Sequence, residues 1–334
     1  MCQKHYTIPV FIPQLACPFQ CVYCNQRNSS GQNKIPTVKE IVDTIEQHLK
    51  TIPSSNTHRE IGFFGGSFTG LPLAEQELFL KSVQPYFKSG AVQGIRLSTR
   101  PDYIRKDILD LLQQYHVTTI ELGVQSMDAE VLQLSGRGHT SEDVISASKL
   151  IKEYGFLLGL QMMLGLPSDT PEKSLYTAES IVAFGADNTR IYPALVIKDT
   201  ELEKLFREEK YVPLTIEEAV IQTKEVYKIF EKANVKVLRM GLHPSEGLIS
   251  GESLVAGPFH VSFGELVMTA LWEEALMLLL QKKEKNSITV SVPCGQLNNA
   301  VGYGASNKKM LQHHFGKVKF IEDSLLTGRN YHAE

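Results

Sequence analysis

The chain is short of cysteine, of net positive charge and of long apolar runs, and each shortage excludes something. No stretch approaches the roughly 20 apolar residues that cross a bilayer. The nearest, LMLLLQ at 276–281, is brief and closely follows Glu273 and Glu274. The N-terminal MCQKHYTIPVFIP carries neither a long apolar stretch nor a small-residue cleavage site. No secretory signal is therefore expected, and a reducing, cytoplasmic location is. The formal net charge is −3, without the positive balance that neutralises a phosphate backbone. The five cysteines are odd in number, which argues against a disulfide framework. No Pro/Ser-rich linker, internal repeat or low-complexity tract interrupts the chain.

What is present is a large, bury-able core: 334 residues, 43% hydrophobic and 21% charged. Strand-like and helix-like segments alternate. Apolar, β-branched runs at 6–13, 59–66, 94–100, 117–126, 156–167 and 186–195 predict strands. Between them, 37–51, 73–87, 104–115, 128–135, 141–154 and 171–184 predict helices. Thr37 with Glu40 reads as a capping box, Ser141 as a helix start and Pro171 as a first helical residue. Repeated strand–helix units imply a parallel sheet with right-handed crossovers. The expected fold is α/β: a partial (β/α)6 TIM-like barrel over 1–205. Its polar and glycine-rich strand ends (GGS, STR, QS, GLP, YP) fall where such sheets gather function. After about residue 205 the pattern changes. Thr215 and Glu218 cap a long helix to 233, and VKVLRMGL at 235–242 offers a seventh strand. The remainder reads as a small C-terminal α+β cap, so 206–334 is expected to pack on the barrel as a substrate-side extension.

Three of the five cysteines crowd into CPFQCVYC at 17–24, with spacing C-x3-C-x2-C. Three thiolates are one short of the usual closed structural zinc site. On a [4Fe–4S] cluster they would leave one iron without a protein ligand, free to bind a small molecule. Cys2 and Cys294 read as free thiols.

That motif, with an aromatic (Tyr23) before the last cysteine, resembles the signature of the radical S-adenosylmethionine superfamily. The resemblance runs on through GFFGGSF at 62–68, LSTRPDYI at 97–104, ELGVQS at 121–126, SGRGHT at 135–140 and LGLPSDT at 164–170. RIYPALVIKDTELEKL at 190–205 and the GPFH…F…ELV segment look most like the branch of the Elongator catalytic subunit. The resemblance implies that Cys17, Cys21 and Cys24 hold the cluster. Its open iron would chelate S-adenosylmethionine, whose reductive cleavage yields a 5′-deoxyadenosyl radical that abstracts substrate hydrogen. By the same resemblance Tyr23, Gly65, Gly66, Ser67, Ser98, Arg100, Gln125, Arg137, Gln161 and Leu166 line the cofactor. A reducing partner such as flavodoxin or ferredoxin is implied too.

For substrate, the first expectation is a free modified nucleobase, as in queuine lyases. A purine-like base needs an apolar wall and a carboxylate for its amidine edge; Phe259, Phe263 and Glu265, with Glu121 and Tyr192, are possible suppliers. His243 and His260 join them because GLHPSEG and GPFHVSF are aromatic- and glycine-rich loops. The alternative is tRNA wobble-uridine modification. It is disfavoured on three expectations: ordinary cysteine spacing, only sixteen residues before Cys17, and no room for an acetyltransferase domain. A non-enzymatic iron–sulfur sensor is the third reading, and the strand-end motifs argue against it.

Overall fold

A computed structural model describes residues 4–12, 21–25, 35–53, 55–281 and 286–334. Seven parallel strands run side by side in a single curved sheet: β1 (Lys4–Ile12), β2 (Thr57–Gly65), β3 (Gly94–Thr99), β4 (Thr119–Gln125), β5 (Leu157–Leu164), β6 (Asn188–Pro193) and β8 (Lys236–Met240). Only the two-residue β7 (Val196–Ile197) intervenes; it pairs antiparallel with β9 (Leu254–Ala256). The sheet is a half-barrel, and the seventh strand, residues 236–240, completes it.

Helices cover the convex face: α1 (Val38–Thr51), α2 (Leu73–Lys88), α3 (Lys106–Gln114), α5 (Ser141–Glu153) and α6 (Pro171–Ala183), whereas Val131 of α4 (Ala129–Leu134) packs with Met163 and Leu166 near the strand ends. Four of these six starts carry a side-chain cap, while α2 and α3 have none. Thr37 and Glu40 form the expected capping box. On α5 the cap is Thr140, one residue before Ser141, because Asp143 then stands at the third helical position and returns the bond to Thr140 N–H. Thr170 caps α6 ahead of Pro171.

Alternation along the strands sorts the two faces. Ile8, Val10 and Ile12 of β1, Ile61 and Phe63 of β2, Ile95 and Leu97 of β3, and Ile120, Leu122 and Val124 of β4 all join one buried aliphatic cluster with the helices. Their neighbours Glu60, Arg96, Glu121 and Arg190 meet one another on the other, concave face.

Beyond α7 (Glu201–Arg207), α8 (Ile216–Lys232) carries a third capping box, Thr215 with Glu218, and packs on α6. After the short α9 (Glu246–Ile249), α10 (Phe263–Leu276) leads to the C-terminal layer. There β10 (Ser287–Pro293) lies between β11 (Lys317–Asp323), parallel, and β12 (His332–Ala333), antiparallel. Together with α11 (Leu297–Val301) and α12 (Ser306–Phe315) it forms the small α+β unit. Trp272, Leu276, Val290, Val292, Leu311 and Phe315 give it a core of its own.

Candidate active site

The described part of the cysteine loop, residues 21–25, is tied down at both sides. Val22 N donates to Ser135 O (3.0 Å) and Leu202 N donates to Val22 O (2.7 Å). Asn25 Nδ2 donates to Lys198 O (3.1 Å). Cys24 N donates to Cys21 O (3.0 Å), so the two thiols share one tight turn. Cys17 lies outside the described residues. The Tyr23 ring packs where Leu166, Met163 and Ala194 meet Val196 and Tyr211. Its hydroxyl is buried, and burial raises its pKa further above the ordinary phenol value than the Arg137 charge lowers it.

The glycines at the end of β2 meet the end of β1. Gly66 N donates to Ile12 O at 2.6 Å. Gly65 has φ +102°, and a Cβ there would stand 2.5 Å from Ile12 O, so no other residue fits without moving β1. Ser67 is buried beside them. At the end of β3, Ser98 is half-buried, and Thr99 Oγ1 lies 2.6 Å from Thr69 Oγ1, joining the ends of β2 and β3.

Two arginines organise the next sector. Arg100, 1% exposed, makes a bidentate pair with Asp102 (2.9 and 3.0 Å), and its Nη2 also donates to Arg137 O (2.8 Å). It thus holds the SGRGHT turn in place. Arg137 Nη2 donates to Gly123 O (2.6 Å) and Nη1 to Cys21 Sγ (3.5 Å). A Cβ on Gly123 would fall 2.7 Å from that guanidinium; the glycine is the gap through which Arg137 reaches the cysteine loop. Gln125 closes β4 in the left-handed region, φ +68°, beside an irregularity in the β4–β5 register. This strained conformation turns its amide toward Gln161, 3.5 Å away. Leu166 is buried under Tyr23.

His139, not singled out in sequence, belongs to this sector. Its Nε2–H donates to Val124 O (3.2 Å). Burial, then the Arg137 and Arg100 charges, push its pKa down to about 3, so the ring is neutral. The flag available in sequence was its place in SGRGHT, two residues after Arg137.

Deeper on the concave face lies a chain of charges. Arg96 Nε donates to Glu60 Oε1 (2.7 Å), and its Nη1 donates to Glu121 Oε1. Arg190 donates to both Glu121 oxygens (2.8 and 3.2 Å). Glu121 is thereby held by two guanidiniums, and Arg190 also lies 5.4 Å over the Phe64 ring. Gly159 makes the room, since a Cβ there would strike Glu121 and Asn188. Burial raises the Tyr192 hydroxyl pKa against the pull of Arg190, keeping it a neutral donor.

Arg239 stands opposite Arg190 in the β6–β8 register. It leads to an open pocket of about 320 Å³ lined by Arg239, Met240, Leu242, His260, Phe263 and Glu265. The structure thus brings three of the five loop and cap residues to one pocket. His260 stacks edge-on against Tyr303, and its Nδ1 accepts from Ser262 N. Phe263 is 3% exposed and packs with Val267 and Leu271, one turn and two turns along α10. Glu265 is exposed. Phe259 lies apart, against Leu195, Ile197 and Leu248, and His243 is exposed on its loop.

This arrangement has known counterparts. A family model described as the Radical SAM superfamily matches residues 11–181, and one described as the Radical_SAM C-terminal domain matches 186–273. The chain belongs to the radical S-adenosylmethionine superfamily and is an enzyme of the Elongator-like branch. It is 35% identical over 252 residues to a tRNA uridine(34) acetyltransferase of Methanocaldococcus infernus, covering 64% of this chain and 47% of that protein. It is 30% identical over 187 residues to Elongator complex protein 3 of Homo sapiens, covering 50% and 34%. The chain spans about half the length, or less, of these relatives. Among solved structures, the archaeal Elp3 of Methanocaldococcus infernus with an N-terminal deletion superposes with a TM-score of 0.66 at 24% identity, covering 83% of this chain and 64% of that one; it shares the fold.

A [4Fe–4S] cluster and S-adenosylmethionine are the superfamily's cofactors and therefore this chain's. The residues fit them: two cysteines share one anchored turn at the strand ends, and at Gly65 bare backbone turns where no side chain is tolerated. When bound and reduced, the pair supplies a carbon radical able to remove a hydrogen atom from substrate. Cys21 and Cys24 would hold the cluster. The guanidinium of Arg137 reaches the Cys21 sulfur, and a contact of this kind would tune the reduction potential of a cluster held there. The superfamily's chemistry requires a reductant. No helix among the described residues is long and apolar enough to cross a membrane.

Proposed function

We propose that the chain acts on a small free substrate, a modified nucleobase of the queuine type, as a lyase that releases the cyclopentenediol-bearing substituent from the 7-deazaguanine base. The observation carrying this reading is the concave face with its side pocket. Glu121, Gln125, Gln161, Arg190 and Tyr192 offer acceptors and donors at neighbouring strand positions. Arg239 connects them to a space of about 320 Å³. That volume falls at the lower end of the range for small-molecule sites, about 300–1,000 Å³. A carboxylate fixed by two guanidiniums suits an amidine edge, and the neutral Tyr192 hydroxyl suits a carbonyl. The net charge of −3 favours a small substrate over a polyanion. Under this reading Ser98 and Arg137 serve the cofactor side, while Arg100 keeps the Arg137 turn in place. A flavodoxin or ferredoxin supplies the electrons.

A second reading has one specific support: relatives at up to 35% identity are named tRNA uridine(34) acetyltransferases. One assay separates the two. The reconstituted, dithionite-reduced protein is incubated anaerobically with S-adenosylmethionine plus queuine, bulk tRNA or neither, and 5′-deoxyadenosine is followed by mass spectrometry. Queuine should stimulate its formation and yield a shortened base. Stimulation by tRNA alone would overturn the lyase reading in favour of tRNA modification.

A further inference from the structure

At the opposite end of the half-barrel, away from the cysteines, lies a second cluster of ligand-type side chains. His5 and His58 are partners in the parallel β1–β2 register, so both leave the concave face side by side. Their ring centroids are 4.8 Å apart and tilted by 50°. Glu60 follows two residues after His58 and therefore points the same way. One ligand atom from each of the three lies within 4.8 Å of the others.

We propose that His5, His58 and Glu60 form a divalent-metal site, occupied by Zn²⁺ with water completing the coordination. Two imidazoles and a carboxylate form a donor set that zinc accepts in sites keeping a water position. Ligand atoms on a tetrahedral zinc stand about 3.4 Å apart, given bonds of about 2.0–2.1 Å. Small rotations of two imidazoles at a partly open surface cover the difference. The carboxylate is already placed: Thr7, Arg96 and His5 all converge on Glu60 Oε1, and Oε2 takes part in none of those bonds. Two of the three groups are also shifted toward the form a metal binds. Burial, then His5, lowers the His58 pKa, favouring its neutral ring. Burial opposes the Glu60 charge, but Arg96 and the hydrogen bonds around it hold the carboxyl below its ordinary value. Arg96 and Lys236 are the nearby cations that oppose a dication, so the affinity is set by that competition.

The site is remote from the chemistry. Seven steps along extended β1, about 23 Å at about 3.3 Å each, separate His5 from Ile12 at the strand's other end. Its role is that of a staple. β1 is an edge strand, paired only with β2 among the described residues, and the metal would cross-link the two strands at their N-terminal ends.

The test uses tag-free, cluster-reconstituted protein dialysed against Zn²⁺. Metal analysis should find one zinc per chain with the iron content unchanged. The variant carrying both His5→Gln and His58→Gln should lose the zinc and keep the iron. On the unaltered chain, peptide mapping after diethylpyrocarbonate treatment should show Zn²⁺ protecting His5 and His58, while exposed His243 reacts equally with and without metal. Three results would overturn the proposal: zinc retained by the double variant at full iron, equal modification of both histidines with and without Zn²⁺, or zinc uptake only at the expense of iron.

Discussion

The two faces of the half-barrel are made by alternate residues of the same strands, yet they solve different problems. The convex face is aliphatic throughout: Ile120, Leu122 and Val124 of β4 meet helices and are fully buried. The concave face of the same strand carries Glu121, Gly123 and Gln125, also buried or nearly so, but tied by ion pairs and amide contacts. Burial is equal; the chemistry is opposite. On the convex side the constraint is volume, because a packed interior tolerates few voids. On the concave side the constraint is satisfaction of charge, because an unpaired buried ion is costly. The difference teaches that exposure alone does not find the site in this fold. The pairing of buried polar groups does.

The comparison can be broken most severely at the cysteine turn. Cys24→Ala should abolish iron loading at one cluster corner and reduce 5′-deoxyadenosine formation to background, while the thermal unfolding midpoint of the cluster-free protein barely moves. Next come two adjacent positions facing opposite ways. Glu121→Ala strips a partner from both Arg96 and Arg190 and should cost about 3–5 kcal/mol in denaturant unfolding. Leu122→Ala should cost about 2–4 kcal/mol through the cavity it leaves. If Glu121→Ala proved the cheaper, the concave network would be ornamental to stability.

His139 gives a smaller, pH-dependent effect. Its folded pKa of about 3 lies below its ordinary 6.5, so the unfolded chain binds a proton that the folded one excludes. The neutral ring's contribution is present in full above pH 6.5 and declines as pH falls from there toward 3. The slope from this group approaches about 1.4 kcal/mol per pH unit. Urea unfolding at pH 7 and pH 5 should therefore show a steeper loss for the parent than for His139→Gln. Smallest of all is the exposed pair Arg105–Asp107 at the start of α3, where Asp107→Ala should change stability by under about 0.5 kcal/mol.

Much of the architecture was legible because several strands announce themselves by alternation and several helices by their caps. GIRLST and TIELGVQ show their apolar positions at every second residue, and those are the residues buried against helices. The seventh strand was visible in VKVLRM for the same reason. The motif residues at strand ends were legible through the family resemblance, and the structure gathers Cys21, Tyr23, Arg137 and Leu166 in one sector. What sequence could not supply was cross-strand register. Arg96 was passed over because its two carboxylates come from other strands, 36 and 25 residues away. His5 and His58 were passed over for the same cause: 53 positions apart, they become neighbours only through β1–β2 pairing. Phe263 looked like an aromatic loop residue, whereas its spacing of four to Val267 and eight to Leu271 is that of a buried helix stripe.

The strand order has a consequence for how such a protein is made. From β1 to β6 every strand pairs with the one synthesised just before it, so the sheet can grow outward from the ribosome one unit at a time. The buried charges arrive in alternating sign: Glu60 on β2, Arg96 on β3, Glu121 on β4, Arg190 on β6. After Glu60, each newcomer finds a counter-ion already in place. The nascent half-barrel therefore never has to hold more than a single unbalanced unit from this set, because the second carboxylate arrives on a guanidinium it shares with the first.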